Sequence, residues 1–381
     1  MSDPNSYGQI TDAGLASMRA DVGEFFHRHG WNEQVTLRGV EHFAVGIGDI
    51  NPLWINAQYA EKTVWKNPIA PPCYLYSHIN GSLLGEKHGV LTVDRWLPGV
   101  LGLWADERWS WKREVNVGET ISARTCLNDA EIVENSRFGA RFVNQVERTE
   151  FLSSDTGEIV AENFMTIRRF ERSEVTKKSK YSERILASYT REESEKISEA
   201  YGNERPRGSV PRPVSSVRVD EAMGAMLKGP LSVSNIIAYL AGAGTSFIFA
   251  NREHYRFLSD NPTAALLHPD NGILESVEAP HWDSELAKAF SGLPAGYDLG
   301  AQRVCWFSHY VTDWMGDSGF LKDLQVKLLK PNLLGDLTTM NGKVAAIDRV
   351  AKQVKLEMTA TNQLSEVTAI ATAIVDLSRW G

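Results

Sequence analysis

The chain has 381 residues, 43% hydrophobic and 23% charged, which is the balance of a globular protein with room for two domains. A formal charge of -8 and a pI near 5.7 exclude the broad basic face that a nucleic-acid binder presents. Cys73, Cys126 and Cys305 are widely spaced with no CxxC pattern, so neither a disulfide framework nor a zinc site is expected, and a reducing compartment is.

The opening MSDPNSYGQITDAG lacks the basic and apolar regions of a signal peptide, and a cytoplasmic location is expected. A polar helix is predicted over residues 12–28. Then comes FAVGIGDINPLW, residues 43–54. Gly48, Asn51 and Pro52 are turn formers, so Asp49 is predicted on a tight bend. A carboxylate at the mouth of an apolar pocket can bind and deprotonate water if its surroundings raise its pKa towards neutrality. Downstream, IAPP at Ile69 to Pro72 leads into CYLYSHINGSLL, predicted as a helix.

Three antiparallel strands are predicted next, from VNVGETISART (115–125) and the stretch from Arg141 to Phe170. Val143, Gln145, Glu147 and Thr149 alternate in the strand manner, and SSDTGE supplies a hairpin turn. Residues 175–213 are polar and charged. Within them Thr190 and Glu193 have capping-box spacing and open a predicted helix, TREESEKISEAY. The least polar stretch, residues 236–250, is broken by Gly242 and Gly244 and falls short of the roughly 20 residues that span a bilayer, so no membrane segment is expected.

A faint repeat follows. PNLLGDLTTMNGKV (331–344) and the stretch from Lys352 to Leu377 answer the first strand trio. Gly118 and Glu119 line up with Gly335 and Asp336, and Gly157 and Glu158 with Ser365 and Glu366. Each trio is preceded by a helix-compatible apolar segment, the second being AGYDLGAQRVCWFSHYVTDWMGD. Helix first, then a sheet that wraps it, used twice, predicts an α+β protein duplicated from one unit.

The residues around Asp49 resemble the hydratase motif of MaoC-like hotdog enzymes, YAxxSGDxNPxHxD, with an N-terminal domain similar to FAS1-like dehydratases. The resemblance implies tandem hotdog folds, a double hotdog, with residues 1–173 as the first domain, 174–213 as linker and 214–381 as the second. It implies addition of water to a 2-enoyl-CoA, or its removal from a 3-hydroxyacyl-CoA, with coenzyme A present as part of the substrate and no separate cofactor or metal. An acyl-CoA-binding subunit without turnover and a hotdog thioesterase are the alternatives, since fold alone does not choose among them.

In the motif, Asp49 and Asn51 match, while Trp54 stands where the family has its His. In the second half Thr245 stands at the carboxylate position and His281-Trp282-Asp283 resembles HxD. The catalytic expectation is therefore Asp49 as base or water anchor, Asn51 as its orienting partner and His281 as a third member. Gly48, Trp54, Pro72, Cys73 and Gly296 are expected to line the substrate, the backbone near Cys73 or Gly296 donating to the thioester oxygen from a helix N-terminus. His42 and His78 are further candidates for the missing His. Tyr297, Asp298, Arg303 and His309 in the second central helix read as buried, satisfied groups, and Asp313 and Asp317 as helix-end residues. A tandem pair is already a pseudo-dimer, and a homodimer of chains is compatible with it.

Overall fold

The structure, a computed structural model, describes residues 8–80, 96–134, 141–171, 181 and 183–380. Helix α1 (Asp12–Ala20) is capped by Thr11. The polar helix predicted to residue 28 stops there, because Gly23 turns at φ +86° into the short strand β1 (Phe25–Arg28). Helix α2 (Leu37–Ile47) buries Val40, Phe43, Ala44 and Ile47 along one face. The segment after Pro71 is a 3-10 helix, Pro72–His78, rather than an α-helix. The part of that prediction beyond residue 80 lies outside the described residues.

Strands β2 (Leu101–Trp111), β3 (Ile121–Val133), β4 (Phe142–Ser153) and β5 (Ile159–Phe170) complete the first half. The exposed linker helix α3 (Arg191–Asn203) carries the predicted capping box in full, with Thr190 and Glu193 each bonding the other's backbone. The second half contains β6 (Met226–Lys228), α4 (Val233–Ala243), α5 (Asn251–Asp260), a small ladder of β7 (Ala265–Leu267) and β8 (Leu274–Ser276), and the buried central helix α6 (Gly300–Met315). Strands β9 (Phe320–Leu328), β10 (Thr338–Asp348), β11 (Gln353–Asn362) and β12 (Val367–Asp376) close it.

Ten strands form one antiparallel sheet in the order β1-β3-β4-β5-β2-β9-β12-β11-β10-β6. Read outward from the β2–β9 junction, the two sides have the same order: first strand, fourth, third, second, then a short edge strand. The predicted trio is thus one strand short in each half. The missing strands, β2 and β9, are those that join the halves, pairing Asp106 with Lys327 through Ser110 with Asp323.

The duplication extends to turn geometry. Gly118 and Gly335 have φ of +105° and +92°, and Gly157 and Ser365 +72° and +61°. Glu119 and Asp336 each receive a backbone N–H from the residue three before them, Asn116 and Leu333. Helices α2 and α4 cross at glycines: a Cβ on Gly46 would come 2.6 Å from the Ala238 carbonyl, and one on Gly242 2.9 Å from the His42 carbonyl. The core lies between the sheet and the central segments, with Trp109, Phe151, Tyr74 and Phe307 fully buried. The Cys305 thiol contacts that of Cys73 there. Among the described residues no helix is long and apolar enough to cross a membrane.

Candidate active site

Helix α2 ends on Gly48, whose left-handed φ of +73° is cheap for glycine. The chain then makes two consecutive Asx-type turns. Asp49 Oδ1 accepts from the Asn51 backbone N–H at 3.1 Å, and Asn51 Oδ1 from that of Leu53 at 3.0 Å, with Pro52 opening the next turn. The bend predicted from GDxNP is present, and it turns the Asp49 carboxylate inward, 1% exposed.

What it faces comes from the other half of the chain. Asn51 Nδ2 donates to Asp317 Oδ1 at 3.1 Å, the Tyr59 hydroxyl to Asp317 Oδ2 at 2.6 Å, and the Trp65 indole N–H to the Asp317 carbonyl. Asp317 follows α6 directly and clamps the Asp49 loop to it. On α6, His309 Nε2 lies 3.9 Å from Asp49 Oδ1 and 3.5 Å from Asp313 Oδ2. Its other ring nitrogen is 2.6 Å from the buried ammonium of Lys228 on β6. An ammonium only donates, so Nδ1 presents its lone pair and the ring proton is assigned to Nε2, directed at the two carboxylates.

Burial dominates the electrostatics. It raises Asp49, an effect the His309 charge opposes, and pushes Asp313 up to about 6. Burial, reinforced by Lys228, brings His309 down to about 4, and burial lowers Lys228 itself. Asp49 Oδ2, Asp313 Oδ1 and the Trp54 indole N–H are buried without a protein hydrogen-bond partner, yet Trp54 lies close enough to favour the Asp49 carboxylate. Two acceptors and a donor, enclosed and unspent, are what a water or a small polar group needs.

The Asp49, His309 and Asp313 ligand atoms lie within 4.8 Å of one another, a spacing that a cation could bridge. The Lys228 ammonium already puts positive charge there. It also occupies the ring nitrogen that, in a metal-bound histidine, ordinarily donates to a carboxylate or carbonyl.

Two openings flank this cluster. A narrow apolar cleft of about 30 Å³ is lined by Asn51, Trp54, Pro72, Trp111, Thr312 and Asp317. A wider cleft of about 500 Å³ has Asp313, Tyr310 and Trp314 in its wall and Arg205 and Arg207, from the linker, at its edge.

His281 heads a separate network. Its Nδ1 bonds the Tyr297 carbonyl at 2.8 Å and its ring packs on Tyr297, just ahead of α6. His309 lies further along the helix by roughly 15 Å at 1.5 Å per residue, so Asp49 meets a histidine of the second half, but not His281. Gly48 serves the turn, while Trp54 and Pro72 line the narrow cleft. Cys73 is in the core against Cys305. The Gly296 N–H is spent on Ser284 Oγ at 3.3 Å, and α6 begins four residues later, so Gly296 is not a helix-terminal donor. Asp283 caps the turn at Ser284 and accepts from His268. Asp298 and Arg303 form a buried ion pair. His42 is exposed, and His78 is buried against Tyr74 with Nδ1 near Ser77, so neither joins Asp49.

The residues missed from sequence are His309, Lys228 and the clamp Asp317. A signal existed for two of them: His309, Asp313 and Asp317 recur at intervals of four, the spacing of one helical face, although the helix ends at Met315, two residues before Asp317. Lys228 gave none.

Residues 20–163 match the FAS1-like dehydratase domain region. No curated protein matches it in sequence. Among solved structures it is similar to a MaoC-like dehydratase at 17% identity and TM-score 0.64, covering 95% of this chain and 100% of the other. It is also similar to a MaoC domain dehydratase from Chloroflexus aurantiacus (9%, TM-score 0.54, 93% and 94% covered). A third likeness is to a Mycobacterium tuberculosis protein described as having a double hotdog fold (12%, TM-score 0.53, 93% and 96% covered). The fold is the MaoC-like double hotdog.

Proposed function

We propose that this FAS1-like dehydratase-region protein is a hydro-lyase that interconverts a 2-enoyl-CoA and a 3-hydroxyacyl-CoA at the Asp49–His309 cluster. The observation that carries this reading is the buried Asp49 carboxylate, with one oxygen unspent, set opposite His309 Nε2. Asp49 takes a proton from water as the water oxygen bonds to C3. The His309 Nε2–H supports the water and the developing charge, and Asp313, protonatable near neutrality, supplies the proton that C2 gains. Trp54 cannot act as a base, because its indole only donates. It can still hold the water that the motif His holds elsewhere.

Asn51, fixed by Asp317, keeps the loop in place. Lys228 positions His309 by holding one tautomer. Arg205 and Arg207 supply local positive charge for the phosphates of coenzyme A on a chain of net charge -8. The chemistry calls for no cofactor beyond the thioester itself.

The test follows enoyl absorbance and free thiol separately over a panel of acyl-CoA thioesters. Reversible loss of enoyl signal without thiol is expected, falling at least about a hundredfold in Asp49→Asn. Thiol release would reassign the protein to the thioesterases. Thioester binding with no turnover would make it a binding subunit.

A further inference from the structure

The second half has no aspartate where Asp49 stands in the first, yet it brings a carboxylate to that place by another route. Gly244 ends α4 as Gly48 ends α2, both at positive φ (+78° and +73°) though with ψ of 170° against 22°, and the two helices cross so that these ends are counterparts. Thr245 therefore occupies the position of Asp49. One local bond is shared: Thr245 Oγ1 accepts from the Phe247 backbone N–H at 3.1 Å, as Asp49 Oδ1 does from Asn51.

From Thr245 the chain departs through α5 and the β7–β8 ladder, a segment with its own small core of Phe257, Leu258, Ala264 and Ala265. It returns at Glu278, whose Oε2 accepts from Thr245 Oγ1 at 2.6 Å. Among the described residues Thr245 is the one hydrogen-bond donor to that carboxylate. Glu278 is followed by the 3-10 turn Ala279–His281, closed by the bond from His281 N to Glu278 O at 2.9 Å. In such a turn, side chains three apart lie on one side. His281 Nδ1 donates to the Tyr297 carbonyl at 2.8 Å, which leaves the lone pair on Nε2, the form a general base needs.

We infer that Glu278 and His281 form a second acid–base site, built by the inserted segment in place of the missing aspartate, that takes a 2-enoyl thioester. This rests on the thioester reading of the chain but not on Asp49. His281 Nε2 accepts a proton from water while the water oxygen bonds to C3 and the C2–C3 π bond breaks. Protonated Glu278 gives its proton to C2, and the proton on His281 then returns to Glu278 through solvent, so the pair is unchanged after each turnover. Two features favour these roles: burial lifts the Glu278 carboxyl to about 7, so it carries a proton near neutrality, and burial keeps His281 neutral.

The experiment uses the full chain, with Tm checked for every variant. Glu278→Gln and His281→Gln are each expected to lower kcat at least about tenfold on a thioester of the panel that Asp49→Asn still turns over, with KM little changed and the double variant no worse than the singles. Values of kcat within about twofold of the parent in both, with Asp49→Asn inactive, would make this pair structural and leave the Asp49 reading standing. Loss in Glu278→Gln with Asp49→Asn still active would do the reverse. If the parent shows no turnover, calorimetric titration with a saturated acyl-CoA decides. Two equivalents per chain, falling to one in His281→Trp, are expected. A stoichiometry that His281→Trp leaves unchanged overturns the second site.

Discussion

At the scale of single residues, the site depends on groups that burial holds in uncommon protonation states. His309 is the clearest. Its folded value is about 4 against an ordinary 6.5, so below pH 6.5 the unfolded chain binds a proton that the native ring refuses. The stability present above pH 6.5 is therefore lost as pH falls and is fully lost near pH 4, on the order of 3 kcal/mol for this one group. Urea unfolding at pH 7, 5.5 and 4.5 should show this slope in the parent and a shallower one in His309→Gln. Equal slopes would mean that His309 is not held neutral by burial. The Asp49 turn was legible from GDxNP because an Asx turn needs only its own few residues. The pairing of Asp49 with His309 was not, because a histidine amid apolar neighbours reads alike whether it is packed or poised.

Among the elements, the crossing of α2 and α4 matters most, since each carries one of the two motif turns at its end. Backbone meets backbone there, and Gly46 has ordinary helical geometry, so space rather than conformation demands glycine. Gly46→Val should therefore destabilise the protein by roughly 2 kcal/mol, overpacking outweighing the gain in helix propensity, as a lower midpoint in urea. An unchanged midpoint would show that the helices can separate freely. Strand alternation, the capping box of α3 and the hairpin at Gly157 could all be read from local pattern. The first central segment could not: its apolar run suits an α-helix, whereas the structure has a buried 3-10 helix over Pro72–His78.

For the whole molecule, the decisive contact spans 266 residues, from Asn51 to Asp317. Asp317 receives donors from Asn51, Tyr59 and Trp65, and so ties the first motif to the end of the second central helix. Asp317→Ala should lower kcat about tenfold by loosening the Asp49 loop while the sheet persists, giving a small fall in Tm and an unchanged far-ultraviolet spectrum. Full activity would show that the loop is held by its own turns.

The amino-acid sequence by itself determined the duplication, the turn that carries Asp49, the linker helix and the resemblance to hydratases, since each is written in neighbours a few positions apart. It also gave the expectation that the two halves hold different parts of that motif, Asp49 in the first and His281 in the second. Only the tertiary structure decided what completes them. Joining β2 to β9 and burying two central segments under one sheet brings His309, Asp313 and Lys228 to Asp49, and an inserted segment folds back to bring Glu278 to Thr245. These meetings follow from burying apolar surface across the whole chain, a requirement that no local spacing records.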